Sequence, residues 1–244
     1  MKLKNKVAIV TGGTLGIGEA IAKEFVKEGA TVIILGRNNE RGNYVCSVMN
    51  SKDCINAEFF QTDFNNSQEI IKTMEDIIKK YPKIDILVNN AGIATAGTVE
   101  SLEEEQWDEI FRINVKAIYL ICKQIIPVMR KNGGGSIINI ASSAGIVGAW
   151  GLHAYSATKG AVIQLTKSMA AEYAGDNIRV NALCPGATAT PLMDNIDQEF
   201  IKMIPMQRMA KPIEIAKGAV FLGSDDSSFM TGSNLVIDGG FTAI

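Results

Sequence analysis

Histidine is nearly missing from this sequence: His153 is the only one in 244 residues. Metal centres built from several imidazoles are therefore excluded. Cysteine is scarce as well, and Cys46, Cys54, Cys122 and Cys184 show no CxxC or other metal-ligand spacing. Four thiols in a chain this long make no disulfide framework, so reduced cysteines in a cytoplasmic protein are the expectation. There is no excess of one charge, with 24 basic against 26 acidic residues and a formal net charge of -2. That balance gives no electrostatic reason to expect nucleic acid or an anionic membrane as a partner. No apolar run approaches the roughly 20 residues of a spanning helix. Near the start, VAIVT is too short to be the apolar core of a secretory signal. A GxSxG turn for a hydrolase nucleophile is missing. Repeats, charge blocks and low-complexity linkers are missing too, so residues 1–244 read as one domain.

What is present is a regular alternation. Hydrophobic residues make up 47% of the chain and charged residues 20%, ordinary values for a globular protein. Short apolar runs, the signature of strands buried on both faces, occur at Val7–Val10, Thr31–Leu35, near residue 57, Ile84–Val88, Ser136–Ile140, Ile178–Cys184 and Leu235–Ile237. Helical spacing is read over Ile17–Glu28, Ser67–Lys79, about Glu103–Lys131, Tyr155–Tyr173 and Ile213–Leu222. Seven strands joined by helical crossovers predict an α/β fold: a doubly wound, mainly parallel sheet with helices on both faces.

TGGTLGIG (Thr11–Gly18) lies between the first strand and the first helix. At that junction a doubly wound sheet binds a dinucleotide: glycines let the backbone approach the pyrophosphate, and the helix N-terminus offers unpaired N–H groups. Gly12, Gly16 and Gly18 give GxxxGxG instead of GxGxxG, and Glu19 stands where a P-loop would need Lys. A tight structural turn is the plainer alternative. At the end of the second strand, LGRNNE puts Gly36 where an acid would bind a free ribose 2'-hydroxyl, with Arg37 next to it. Arg37 can hold a 2'-phosphate by two parallel hydrogen bonds, which favours NADP(H). NAD(H) stays open, because Glu40 is close and Arg37 can equally be a solvated surface charge.

YSATK (155–159) places Tyr155 and Lys159 four residues apart, on one helical face, but YLICK (119–123) has the same spacing. The glycine turn, NNAG at Asn89–Gly92, YSATK, Pro185–Gly186 and the C-terminal DGG together resemble the short-chain dehydrogenase/reductase family. The resemblance runs over essentially the whole chain, and implies a Rossmann fold. It implies Tyr155 and Lys159 as catalytic, with Ser142, thirteen residues before Tyr155 at a strand end, and Asn114 of FRINVKA. Ser143 is a neighbour one residue out of register. Thirteen residues before Tyr119 stands Gln106, inside a predicted helix, so YLICK has no matching hydroxyl and Tyr119 is expected to pack in a largely buried helix. The resemblance also implies cofactor contacts from Gly12, Thr14, Leu15, Gly16, Ile17, Arg37, Asp63, Phe64, Asn90, Ala91, Gly92, Tyr155, Lys159, Pro185, Gly186, Thr188 and Thr190. Asp63 can equally cap its own loop.

The reaction expected from this set is NADP(H)-dependent interconversion of a secondary alcohol and a ketone, with Tyr155 as general acid/base. A free Tyr has a pKa of about 10, and lowering it by three units takes roughly 4 kcal/mol. A cation four residues away, together with the oxidised nicotinamide ring, is expected to supply that. Lys159 would also bond the nicotinamide ribose, Ser142 would hold the substrate oxygen, and Asn114 would support a water chain. The loop 188–212, carrying Met193, Met203, Met206 and Met209, is expected as an adaptable apolar lid over a steroid-like or acyl substrate, with core packing of a short helix as the other reading. Ala94, Ser143, Ala144 and Trp150 would flank the pocket, and His153 either lines it or is inert. A 3-oxoacyl-acyl-carrier-protein reductase and a non-catalytic binding protein on the same scaffold are the alternatives. Family members usually form tetramers through the two long helices and the last helix and strand, so a homotetramer is expected.

Overall fold

The computed structural model describes residues 1–50, 56–193 and 198–243. Cys54 and part of the expected lid lie outside them. The strands are β1 (Val7–Thr11), β2 (Thr31–Gly36), β3 (Ala57–Gln61), β4 (Ile86–Asn89), β5 (Gly135–Ile140), β6 (Ile178–Pro185) and β7 (Asn234–Ile237). They form one sheet in the order β3-β2-β1-β4-β5-β6-β7, and every neighbouring pair is parallel. The expected sheet is therefore present, and wholly parallel.

The helices are α1 (Gly16–Lys27), α2 (Asn39–Met49), α3 (Ser67–Lys80), α4 (Glu104–Phe111), α5 (Ala117–Lys131), α6 (His153–Tyr173), α7 (Gln198–Lys202) and α8 (Pro212–Gly223). Because strand side chains alternate, the sheet feeds two cores. Ile9, Ile33, Leu87 and Ile137 face α3, α5 and α6 on one side. Ala8, Val10, Ile34, Val88 and Ile138 face α1, α2 and α8 on the other. No helix among the described residues is long and apolar enough to cross a membrane.

Three features differ from the sequence reading. The helix α2 was not expected. The long helix read over Glu103–Lys131 is broken by a π turn at Arg112–Lys116, which carries Asn114. Tyr119 is 53% exposed, and Lys123 is exposed with it. YLICK thus presents its Tyr–Lys pair to solvent, while Ile118, Ile121 and Cys122 fill the core.

The strand order reverses between β1 and β4, the crevice where open parallel sheets bind ligands at the strand C-termini. Thr11 fastens that crevice: its hydroxyl accepts the N–H groups of Asn90 and Ala91, each at 2.9 Å. The Asn90 amide donates to the carbonyls of Thr11 and Gly12 at 2.9 and 3.1 Å.

Candidate active site

The glycine turn is shaped for close approach. Gly12 and Gly16 have φ of +62° and +58°, where a side chain is strained. A Cβ at Gly18 would lie 2.2 Å from the Gly12 carbonyl oxygen, so α1 can start against β1 only with glycine there. Leu15 stands just before α1, extended and without a side-chain cap, so the first N–H groups of the helix have no side-chain partner from it. Ile17 turns toward the core on the α1 side. Thr14 is buried, and a Cβ at Gly36 would come within 3.0 Å of its methyl. A Cβ at Gly16 would lie 3.2 Å from the Thr190 methyl, so the loop after β6 closes against the turn. These glycines and the start of α1 form a cradle that fits a pyrophosphate, and they fit no bulkier wall.

Arg37 is exposed just after β2, its carbonyl accepts from the Gln61 amide at 3.1 Å, and among the described residues its guanidinium has no partner. Asp63 takes the Asn65 N–H at 3.0 Å, the loop-capping alternative, and stays half-exposed. The Phe64 side chain is buried in the core, so only its backbone can face a ligand. Pro185 ends β6, Gly186 sits under Asp238, and the Thr188 hydroxyl donates to the Gly186 carbonyl at 3.0 Å.

The four proposed catalytic residues come from α6 (Tyr155 and Lys159), the π turn (Asn114) and the loop after β5 (Ser142), and they meet. Ser142 is extended and accepts the Ala144 N–H at 3.1 Å, which opens the 3-10 turn Ser143–Gly145. Its side chain acts on the Tyr155 phenol in the direction that favours the ionised form. Ser143 is buried, and among the described residues it has no such effect on Tyr155. The Lys159 ammonium is buried, donates to the Ile140 carbonyl at 2.7 Å and lies 5.5 Å from the centre of the Tyr155 ring. Asn114 is fully buried: Oδ1 accepts the Ile93 N–H at 2.9 Å, and Nδ2 donates to the Ile93 carbonyl at 2.9 Å and to Thr158 at 3.1 Å. A Cβ on Gly92 would lie 3.1 Å from Asn114 Oδ1 and 3.6 Å from Lys159 Nζ, so the loop after β4 passes between them.

Burial pushes the Tyr155 phenol up from its ordinary value, and the Ser142 hydrogen bond pulls the other way. Burial also brings Lys159 down to about 8, opposed by the Cys184 thiol. The expected lowering of Tyr155 is thus not produced by the protein's own groups.

Beside Thr190 a cavity of about 400 Å³ opens, lined by Pro191, Met193, Ile201 and Met209 among others. Met203 and Met206 are exposed, so core packing does not explain the methionines as a set. Ala94 is half-buried, Ser143 and Ala144 are buried, and Trp150 is 100% exposed. The His153 ring is exposed and its Nδ1 is bonded to the Gly97 carbonyl at 2.9 Å. Three groups hydrogen-bonded to the site residues were missed from sequence: Thr11, the Ile140 carbonyl and Thr158. Thr158 carried a signal, being one turn from Tyr155 within YSATK.

A family described as enoyl-(acyl carrier protein) reductase matches residues 12–242. The 3-oxoacyl-(acyl-carrier-protein) reductase FabG of Chlamydia trachomatis is 38% identical over 242 residues, covering 98% of both chains. Cyclopentanol dehydrogenase of Comamonas testosteroni is 38% identical over 248 residues, covering 99% of both. A solved structure of a short chain dehydrogenase/reductase family protein superposes with a TM-score of 0.92 at 36% identity, covering 100% of both chains. The chain belongs to the short-chain dehydrogenase/reductase family, and it is an NAD(P)-dependent oxidoreductase.

Proposed function

We propose that this enzyme interconverts a secondary alcohol and a ketone with NADP(H), using Tyr155 as the general acid/base. The observation that carries this is the buried Lys159 ammonium 5.5 Å from the Tyr155 ring, with Ser142 acting on the same phenol. When bound, a nicotinamide would supply or accept the hydride and, in its oxidised form, would add positive charge to the site. Ser142 holds the substrate oxygen within reach of Tyr155. In the reducing direction Tyr155 must give a proton, and burial keeps its phenol protonated at neutral pH. Lys159 would bond the nicotinamide ribose, and its charge would stabilise the phenolate once the proton has left. The Asn114 side chain is spent on Ile93 and Thr158, so its support for a water chain falls to its main-chain carbonyl, at a π turn where helical pairing is loosened.

Residues 1–244 act as one dinucleotide-binding unit, with 188–212 as the substrate lid. The remaining cofactor contacts are Gly12, Thr14, Leu15, Gly16 and Ile17 at the phosphates, Asp63 and the Phe64 backbone at the adenine, Asn90 to Gly92 at the ribose, and Pro185, Gly186, Thr188 and Thr190 at the carboxamide and phosphates. NADP(H) is preferred because Gly36 is packed against Thr14 and no carboxylate stands there, whereas the Arg37 side chain reaches solvent. Arg37→Asp is expected to cut kcat/KM for NADPH by about 10- to 100-fold, the worth of one charged hydrogen-bonded contact, and to raise the relative use of NADH. Steady-state rates with both cofactors check this; an unchanged ratio contradicts it.

The substrate class we favour is a free apolar alcohol or ketone. Near the α5 and α6 ends, Arg130 is paired with Asp176 at 2.8 Å and lies over the Tyr173 ring, so one of the basic groups there is already engaged, while Lys131 beside it is exposed. The relative FabG supports the second reading, reduction of a carrier-linked 3-oxoacyl group. Adding acyl carrier protein to a 3-oxoacyl substrate separates them: no gain in kcat/KM over the free ketone favours the first. We also propose a homotetramer, supported by exposed Trp107 and Tyr119 on α4 and α5 and Phe229 and Val236 near β7. A monomeric mass in solution contradicts it.

A further inference from the structure

Thr158 is fully buried one residue before Lys159, and the reaction proposed above gives it no part. Its hydroxyl donates to the Tyr155 carbonyl at 2.7 Å. That oxygen then accepts from Asn114 Nδ2 at 3.1 Å. A hydroxyl has one proton, and here it is committed to a carbonyl, so only a donor can face its oxygen. The amide nitrogen of Asn114 must therefore point at Thr158, and Oδ1 is left to face the Ile93 N–H at 2.9 Å. Turned the other way, the amide would set Oδ1 against the Ile93 carbonyl and leave the Ile93 N–H unpaired. Because Asn114 lies in a π turn, the regular ladder of a helix does not fix it alone. What Asn114 fixes in turn is the stretch Gly92–Ile93, which passes beside Lys159 Nζ.

We infer that Thr158 is a positioning residue: through the Asn114 amide it sets the loop after β4 against Lys159, joining α6, the π turn and the cofactor crevice by one ordered chain of hydrogen bonds. The inference rests on the proposed roles of Tyr155 and Lys159, but its first test does not need turnover. Thr158→Val keeps the shape and removes both bonds. It is expected to speed hydrogen exchange of the Ile93 amide by about tenfold and to weaken NADPH binding, read by nicotinamide fluorescence, by several fold. With the alcohol that the wild type oxidises fastest in a panel of secondary alcohols, kcat falls by about tenfold while KM stays within about twofold.

Thr158→Ser keeps the hydroxyl and recovers exchange and kcat to within about twofold of wild type. On an Asn114→Ala background, Thr158→Val costs nothing further, since the route through the amide is already cut. If Thr158→Val does not fold, Thr158→Ala carries the same comparison. Wild-type exchange at Ile93 in the valine variant would overturn the inference, as would a serine variant as impaired as valine, or additive losses in the double variant. Tyr155→Phe runs in the same assay: full turnover there sinks the active-site reading itself, whatever Thr158 does.

Discussion

Tyr155→Phe is expected to bind NADPH as the wild type does and to lose turnover by about a thousandfold. The substitution removes one oxygen and leaves the ring under the Lys159 ammonium. Lys159 keeps its bond to the Ile140 carbonyl, and Ser142 keeps the Ala144 N–H. The fold and the cofactor crevice therefore lose almost nothing, while the transfer of a proton to the substrate oxygen loses its donor. Ser142 cannot replace it, because an unassisted hydroxyl is a far weaker acid than a phenol. Nicotinamide fluorescence titration and steady-state rates make the comparison. Near wild-type turnover in the phenylalanine variant would remove Tyr155 from the chemistry.

Gly145→Ala is expected to damage the same site from behind. A Cβ on Gly145 would lie 2.7 Å from the Lys159 carbonyl carbon, 2.8 Å from its oxygen and 2.9 Å from the Gly160 nitrogen. All three are backbone atoms, so no rotamer change relieves the clash. The turn must move away from α6, and the Gly145 N–H is bonded to the Ser142 carbonyl at 3.0 Å, so Ser142 moves with it. A displacement of about 1 Å between reacting groups costs on the order of a hundredfold in kcat, and the overpacking costs about 1–3 kcal/mol of stability. Gly148→Ala is the control, because a Cβ there meets nothing within 4 Å. Rates and melting curves of the two variants give the answer; equal kcat for both contradicts the role given to the Ser142 turn.

Five of the strands were legible because each is a short, mostly buried apolar run, while the edge strands β3 and β7, only partly buried, show by their apolar residues alone. The helix α2 was not, since Asn39–Met49 buries only Gly42, Val45 and Cys46, too thin a stripe to show a helical period. Gly42 is there because Phe59 of β3 presses on it, a Cβ at that position lying 2.3 Å from the ring. The π turn was hidden for a different reason: one extra residue per turn barely shifts an apolar pattern. Tyr119 was misread from its neighbours Leu120, Ile121 and Cys122, although spacing alone places Tyr119 and Lys123 together on whichever face they share. That face is the outer one.

In the site, the spacing of Tyr155 and Lys159 was readable, as was the glycine turn, because local geometry fixes both. The bonds that join Asn114 to Ile93 and Thr158 span 21 and 44 residues of sequence. No local pattern records them, and only the packing of α6 against the π turn brings them together. The pKa of Tyr155 was likewise out of reach, since burial, which raises it, is a property of the assembled crevice.

The most direct test of the account is NADPH-linked absorbance over a panel of secondary alcohols and ketones, run in both directions with wild type and Tyr155→Phe. The account predicts that at least one alcohol–ketone pair is turned over both ways by the wild type, faster with NADP(H) than with NAD(H), and not measurably by the variant. Turnover of no pair, or equal turnover by the two proteins, would contradict it.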